Sequence, residues 1–268
     1  MFDQDYLAAM ARFLDPGDTA TSGATLIVNG VEANSAGVSP SAIKEVRINE
    51  DLYSAEFARP GRGRIEVITK PGSPEYHGTF NFIFRDAHLN ARDPFALTRP
   101  PEQRRIYEGV LTGPIRHSKS TSFLFSVDRN EEDLQNVVFA RGPAGIIQEN
   151  AANPTRGFLL AGQIDRAFNQ NNNLTIRYSF ESKTVLNQGV GGNVLPEAGT
   201  NSYFQEHQIN ISHEKIFSPQ LVNDFLCCLV TFIGRSSALR PLPGSSSSML
   251  LPAAARSLIS CILNIISS

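Results

Sequence analysis

The sequence contains no tryptophan, and its three cysteines, Cys227, Cys228 and Cys261, all follow residue 226. A long cysteine-free body suits a chain that crosses an oxidising compartment, and it equally suits a chain in which cysteine is merely rare. Charge of one sign is also lacking: 24 basic residues face 26 acidic ones, for a net charge of -2. Without a basic field to meet phosphates, nucleic acid is excluded as a partner. The opening residues, MFDQDYLAAMARFLDPGDT, place acids where a secretory leader carries lysine or arginine. The expectation is a cytoplasmic chain or one whose true start lies further upstream. The longest apolar stretch, 249–266, is broken by Pro252 and Arg256, which disfavour a membrane-spanning helix.

Reactive constellations are missing too. The five histidines are scattered without ligand spacing, and His207 and His213 lie too far apart on one strand to share a metal. Glu131, Glu132 and Asp133 read as a solvated run of acids in a loop. Gly189-Val190-Gly191-Gly192 lacks the Lys-Ser or Lys-Thr of a phosphate loop. The hydroxyls, Ser54 included, have no histidine and aspartate partners in a nucleophile setting. Adjacent cysteines such as Cys227 and Cys228 rarely close a comfortable disulfide. The reading expects no enzyme, no cofactor, no metal and no catalytic residue.

What is present is alternation. Hydrophobic residues make up 41% of the chain, yet mean hydropathy is only -0.16, so apolar and polar positions are interleaved. Residues 3–14 carry one helical stripe, Leu7, Met10 and Leu14, stopped by Asp15-Pro16-Gly17. Three strands follow: 25–28 running into the turn pair Asn29-Gly30, 42–49 with Ile43, Val46 and Ile48, and 64–70 with Ile65, Val67 and Thr69. Together they form a mixed unit ending near Pro71. Gly61 and Gly63 permit a tight backbone before the third strand, and Pro71-Gly72 with Pro74 stops it from pairing onward.

From Gly78 the strands have one apolar and one mostly polar face. Phe80, Phe82 and Phe84 share a face; so do Tyr107, Gly109 and Leu111, then Phe123, Phe125 and Val127. Residues 158–168 present Leu160, Gly162, Ile164 and Phe168, and 174–181 present Leu174, Ile176, Tyr178 and Phe180. A weaker strand covers 204–213. Connections alternate between short (114–120, 169–173, 217–221) and long (87–103, 129–157, 183–203). Short turns at one end and long loops at the other fit an outer-membrane barrel, whereas a soluble sandwich shares only the one-sided strands.

The segments Pro40-Ser41-Ala42-Ile43-Lys44-Glu45-Val46-Arg47-Ile48, Tyr53-Ser54-Ala55-Glu56-Phe57, Arg64-Ile65-Glu66-Val67-Ile68-Thr69-Lys70-Pro71-Gly72 and Tyr76-His77-Gly78 carry a family likeness. This stretch resembles the plug-to-barrel junction of TonB-dependent outer-membrane receptors, and within them the Oar-like receptors. Their plug closes on a Thr-Lys strand and their first barrel strand begins at His-Gly. Leu111-Thr112-Gly113-Pro114-Ile115 and Ile216-Phe217-Ser218-Pro219-Gln220-Leu221-Val222-Asn223 are similar to that family's turns. The resemblance covers residues 26–225. It departs at Asn29-Gly30, where many relatives have Asp-Gly, at Ala58, where they have Gly, and in the basic run Arg59, Arg62 and Arg64.

The resemblance implies a mainly β fold: a partial, mixed α/β plug over 1–71 and about six antiparallel meander strands of an incomplete transmembrane barrel over 78–225. Composition sets off the rest: after Phe225 the alternation stops and vicinal cysteines and a serine run arrive, so 226–268 is expected to be a frameshifted or unstructured, irregular tail. It implies a structural junction at Gly61, Gly63, Thr69, Lys70, Gly72, His77 and Gly78. It further implies residence in the outer membrane, contact with its lipid, a TonB-type energy-transducing partner for the intact family, and an unnamed substrate. A fragment of this size is expected not to transport alone. The alternative is a surface adhesion or carbohydrate-binding sheet without transport.

Overall fold

The computed structural model describes residues 25–33, 36–49, 64–89, 91, 95, 99–116, 118, 120–142, 145–218, 220–238 and 254–267. The expected helix at 3–14 and the glycines Gly61 and Gly63 lie outside the described residues.

Four strands form a small mixed sheet in the order β2-β1-β4-β3. β1 (Thr25–Val28) turns through Asn29 and Gly30, at φ 49° and 83°, into β2 (Val31–Glu32). Both residues are left-handed, as a two-residue hairpin whose twist matches its strands requires. β4 (Arg64–Thr69) lies parallel to β1 and antiparallel to β3 (Ile43–Asn49), with Val67 beside both Val28 and Val46. As an inner strand, paired on both edges, it buries Ile65, Val67 and Thr69.

The rest is one antiparallel meander of eight strands. They are β5 (His77–Asp86), β6 (Gln103–Pro114), β7 (Thr121–Gly142), β8 (Gly145–Asn169), β9 (Asn172–Gln188), β10 (Thr200–Ser218), β11 (Leu221–Ala238) and β12 (Ala254–Ser267). β5 and β12 are the two ends of the sheet, so the barrel is unclosed.

The wall departs from the sequence reading in three ways. The ladder continues two strands beyond the six expected, through 226–238 and 254–267, where an irregular tail was expected. In β11 both Leu229 and Ile233 on one side and Leu226 and Val230 on the other are apolar. A strand apolar on both faces shows no period of two. The broken apolar stretch 249–266 likewise holds a strand rather than a helix. Finally, the long connection at 129–157 is mostly ladder: Arg129 pairs with Phe158 and the pairing continues to Gly142 with Gly145.

That zipping relocates the three acids. Glu131, Glu132 and Asp133 lie within β7, opposite Arg105, Arg104 and Gln103. Arg104 binds Glu132 at 2.7 Å, Arg105 reaches Glu131 and Asp133 at 3.5 and 3.4 Å, and Arg156 of β8 also pairs with Asp133. They are ladder members flanked by arginines, not a solvated loop.

Burial in the wall runs opposite to that of a soluble sheet. Phe80, Phe82 and Phe84 are exposed, with Phe80 at 71%, as are Leu111, Phe125, Ile164, Ile176, Tyr178 and Ile209. The intervening Glu108, Ser126, Gln163, Arg177, Ser179, Glu206 and Gln208 are buried. The small sheet lies against this polar face. Val38 and Ala42 pack there on Val110, Leu124 and Ala161.

Leu124→Ala removes the largest side chain of that cluster and is expected to cost about 2–5 kcal/mol. Urea titration of the refolded protein by circular dichroism measures the loss, and hydrogen exchange across 36–49 should accelerate.

Candidate functional site

The functional geometry of this chain is the seam between the small sheet and the wall, together with the turn that joins them. Asn29 and Thr69 hold one end of the small sheet through reciprocal bonds. The Asn29 amide donates to Thr69 Oγ1 at 2.9 Å, and the Thr69 backbone N–H donates to Asn29 Oδ1 at 3.0 Å. Thr69 Oγ1 then donates to Gln163 Oε1 on β8 at 3.2 Å, in a buried contact. Gln163 Nε2 donates to both oxygens of Asp165, at 3.0 and 2.9 Å. Asp165 also accepts from the backbone N–H of Gly72 at 2.7 Å and from Thr175 Oγ1 at 2.8 Å. The connecting turn and two wall strands thus share one carboxylate, and β4 is joined to it through Gln163.

A second tether lies nearer β5. Glu108 accepts from the Ser41 backbone N–H at 2.6 Å and from Asn81 Nδ2 at 3.1 Å. Lys70 Nζ donates to the Ser41 carbonyl at 2.7 Å. In the turn, the Ser73 N–H donates to Thr112 Oγ1, whose own proton goes to the Phe123 carbonyl. On the open side of the small sheet, Arg47 bonds the Glu45 carboxylate at 3.0 Å and thereby lowers its pKa.

Elsewhere the seam holds unpaired polar atoms. Arg177 is 2% exposed, and its guanidinium makes no hydrogen bond among the described residues; nor do Ser126 Oγ, Gln208 Oε1 and Ser39 Oγ. Gly37 at φ +59° comes close here, since a Cβ on it would stand 2.9 Å from Ser179 Oγ. An unpaired buried charge opposes tight adhesion.

Of the junction residues singled out in the sequence, Thr69, Lys70 and Gly72 come together at the seam. His77 and Gly78 open β5, with exposed His77 3.8 Å from Glu75 and Gly78 opposite Leu111. A Cβ at Gly78 meets nothing nearer than 3.6 Å, whereas one at Gly72 would press on Ser122, 2.7 Å from its Cβ. Sequence reasoning passed over Glu108, Gln163, Asp165 and Arg177. Their one signal was position, as polar residues between the outward apolar ones. Among the described residues no group of three potential metal-ligating side chains is gathered. His207 instead bonds Tyr178 and His213 bonds Asn172.

No family model matches this sequence, and no curated protein does. Solved structures do. The siderophore receptor PirA from Pseudomonas aeruginosa aligns over 81% of this chain and 35% of its own, at 12% identity and TM-score 0.56. The outer membrane transporter YddB from Escherichia coli aligns over 85% and 34%, at 9% identity and TM-score 0.60. The ferric enterobactin receptor (PfeA) from Pseudomonas aeruginosa, in mutant form, aligns over 90% and 37%, at 13% identity and TM-score 0.58. The shared fold is that of outer-membrane receptors. The chain spans little more than a third of the length of these receptor structures, and at such identities the likeness is one of fold. Within that fold, the exposed aromatics lie on a barrel wall's outer surface and the small sheet lies on its inner one.

Gly72→Ala is expected to destabilise the junction by about 1–3 kcal/mol through overpacking. Ser122→Gly in the same chain should relieve most of it. Hydrogen exchange of the 64–73 segment by mass spectrometry checks both variants, and a Gly72→Ala protein with unchanged exchange would refute the steric account.

Proposed function

We propose that this chain is the closing part of a plug and the first eight wall strands of a TonB-dependent outer-membrane receptor of the Oar-like kind. One observation carries the reading: the wall exposes its aromatic face and buries its polar one beneath the small sheet. In water that arrangement is unfavourable, because large contiguous apolar patches drive association. In a bilayer it is the stable one, since lipid covers the outward face while the strand backbones satisfy one another.

The receptor reading gives each part a role. Outer-membrane lipid is the partner of Phe80, Phe125, Ile164, Tyr178 and their neighbours. The small sheet obstructs the inner side of the wall, and in the intact family a TonB-type energy-transducing protein acts on the plug. The Thr69–Gln163–Asp165–Gly72 network anchors the junction, while the unpaired groups around Arg177 leave the rest of the seam less firmly held. Reaction chemistry has no place in this scheme, which makes the chain a receptor component rather than an enzyme. With β5 and β12 unpaired to each other, the chain alone is not transport-competent.

The test is partition. Produced behind an export signal, the chain should fractionate with the outer membrane, and without detergent the purified protein should aggregate. A monodisperse soluble monomer would overturn the reading. Phe125→Arg, at an outward position, should cost about 2–4 kcal/mol if the site lies near the bilayer midplane. Urea titration of protein refolded into lipid vesicles reads that cost.

A further inference from the structure

We propose that Arg166 and Lys215 form a docking surface for the phosphate groups of anionic lipids, at the end of the wall where the short turns lie. Parity supplies the placement. On β8 the outward Leu160, Gly162 and Ile164 continue to Arg166, and on β10 the outward Ile209 and Ile211 lead through His213 to Lys215. Both cations therefore share the apolar side of the sheet. Leu174 of β9 stands between their strands, opposite Arg166 on one edge and His213 on the other. The Arg166 guanidinium lies 4.9 Å from the centre of the Phe168 ring, and Lys215 Nζ lies 4.4 Å from that of Phe217. Both rings are exposed, and each cation rests on one.

The acids at this end are turned away. Asp165 and Glu214 each precede a cation by one residue, so they face the inner side, where Asp165 binds the junction and Glu214 stands opposite Asp224 of β11. Among the described residues neither Arg166 nor Lys215 makes an ion pair, and no acid occupies an outward position at the short-turn ends of β8, β9 and β10. The loop end is the reverse. There Arg105 lies 3.5 Å from Glu131 and 3.4 Å from Asp133, Arg129 lies 3.2 Å from Glu131, and Arg156 pairs with Asp133, all at outward positions. One rim is thus largely neutralised from within, and the other is left cationic.

The proposal rests on the receptor reading, because only a wall that spans a bilayer brings this rim to the level of lipid phosphates. At that level aromatic rings lie in the interface, and the aliphatic stems of arginine and lysine carry their charges to the headgroups. The two cations stand two strands apart, about 10 Å across the sheet, each on its own ring. That spacing matches separate headgroups of one leaflet better than a single small ion. The occupant is therefore anionic phospholipid on the side of the short turns. Each cation close to an anionic surface favours the inserted state about fivefold, so the pair is expected to favour it roughly thirtyfold.

The test refolds the full chain into vesicles of phosphatidylcholine alone and of phosphatidylcholine with phosphatidylglycerol in equal parts. Flotation and protease protection read insertion, and urea titration reads the folding equilibrium in each vesicle. The expected result is that gain in anionic over neutral vesicles, fading as salt is added. With Arg166→Gln and Lys215→Gln together the gain should vanish, whereas Arg166→Lys with Lys215→Arg should keep it. Comparing each variant with itself in the two vesicles cancels any packing lost with the ring contacts. Lys183→Gln, which removes a cation from the inner cleft beside Ser39 and Glu108, should leave the gain unchanged. Insertion with equal stability in both vesicles, a gain that survives the double substitution, an equal loss with Lys183→Gln, or the same gain from inorganic phosphate added to neutral vesicles overturns the proposal alone. A chain that inserts in neither vesicle overturns the receptor reading and the proposal with it.

Discussion

A wall whose outer surface is apolar must find every backbone partner within itself, and the rest of the structure follows from that requirement. A lipid-facing strand has no water to bond its N–H and C=O groups, so unpaired backbone is not tolerated there, and a spanning sheet pairs every inner strand and closes its edges. The meander of hairpins satisfies this continuously from β5 to β12. It also fixes parity. A slip of one residue would turn Phe125 inward and Ser126 outward, so each hairpin inherits its register from the polarity of its two sides. Gly109 and Gly162 interrupt the outward rows without breaking them, since Phe80 and Val127 stand opposite the first, and Phe125 and Tyr178 opposite the second.

Legibility in the sequence tracked how different the two faces of a strand were. Phe123, Phe125 and Val127 against Ser122, Leu124, Ser126 and Asp128, a face polar but for Leu124, announced a strand, and a strand stands there. β11 carried no such contrast, since its inward residues are as apolar as its outward ones, and its order comes from pairing with β10. The acids 131–133 misled for a related reason: their partners Arg104, Arg105 and Arg156 are remote in sequence, so a charge-matched ladder looked like a loop. The seam was partly legible. Thr69, Lys70 and Gly72 were marked by the likeness to a junction, but Gln163 and Asp165 were anonymous polar positions until the ladder placed them beneath Thr69.

The two sides of the wall set different demands on the residues that meet them. On the receptor reading, outward positions tolerate any side chain that lipid accepts, in keeping with a row in which Phe123, Ile164, Ile176, Ile211 and Cys227 stand opposite one another in turn. Inward positions meet a particular surface, and their chemistry is correspondingly specific. Asp165 accepts from Gly72, Gln163 and Thr175, and Glu108 accepts from Ser41 and Asn81. Removing such an acceptor leaves several donors unpaired, whereas trimming an outward apolar group loses only contact area.

This asymmetry also governs how the small sheet could leave its seat. In a soluble sandwich, separating two layers exposes large apolar side chains to water, and the cost grows with their area. Here the apolar part of the seam is a compact cluster of small and medium residues, Val38, Ala42, Val110, Leu124 and Ala161. Around it lie Gln163, Arg177, Ser179, Glu206 and Gln208, which water solvates well. The Arg177 guanidinium, which makes no hydrogen bond among the described residues, gains hydration on opening. On the receptor reading, displacing the small sheet would uncover little large apolar surface and would have to break the bonds at Asp165, Gln163 and Glu108, while the wall stays held by its ladder. On the receptor reading, that division would let one layer move against the other without unfolding the wall strands.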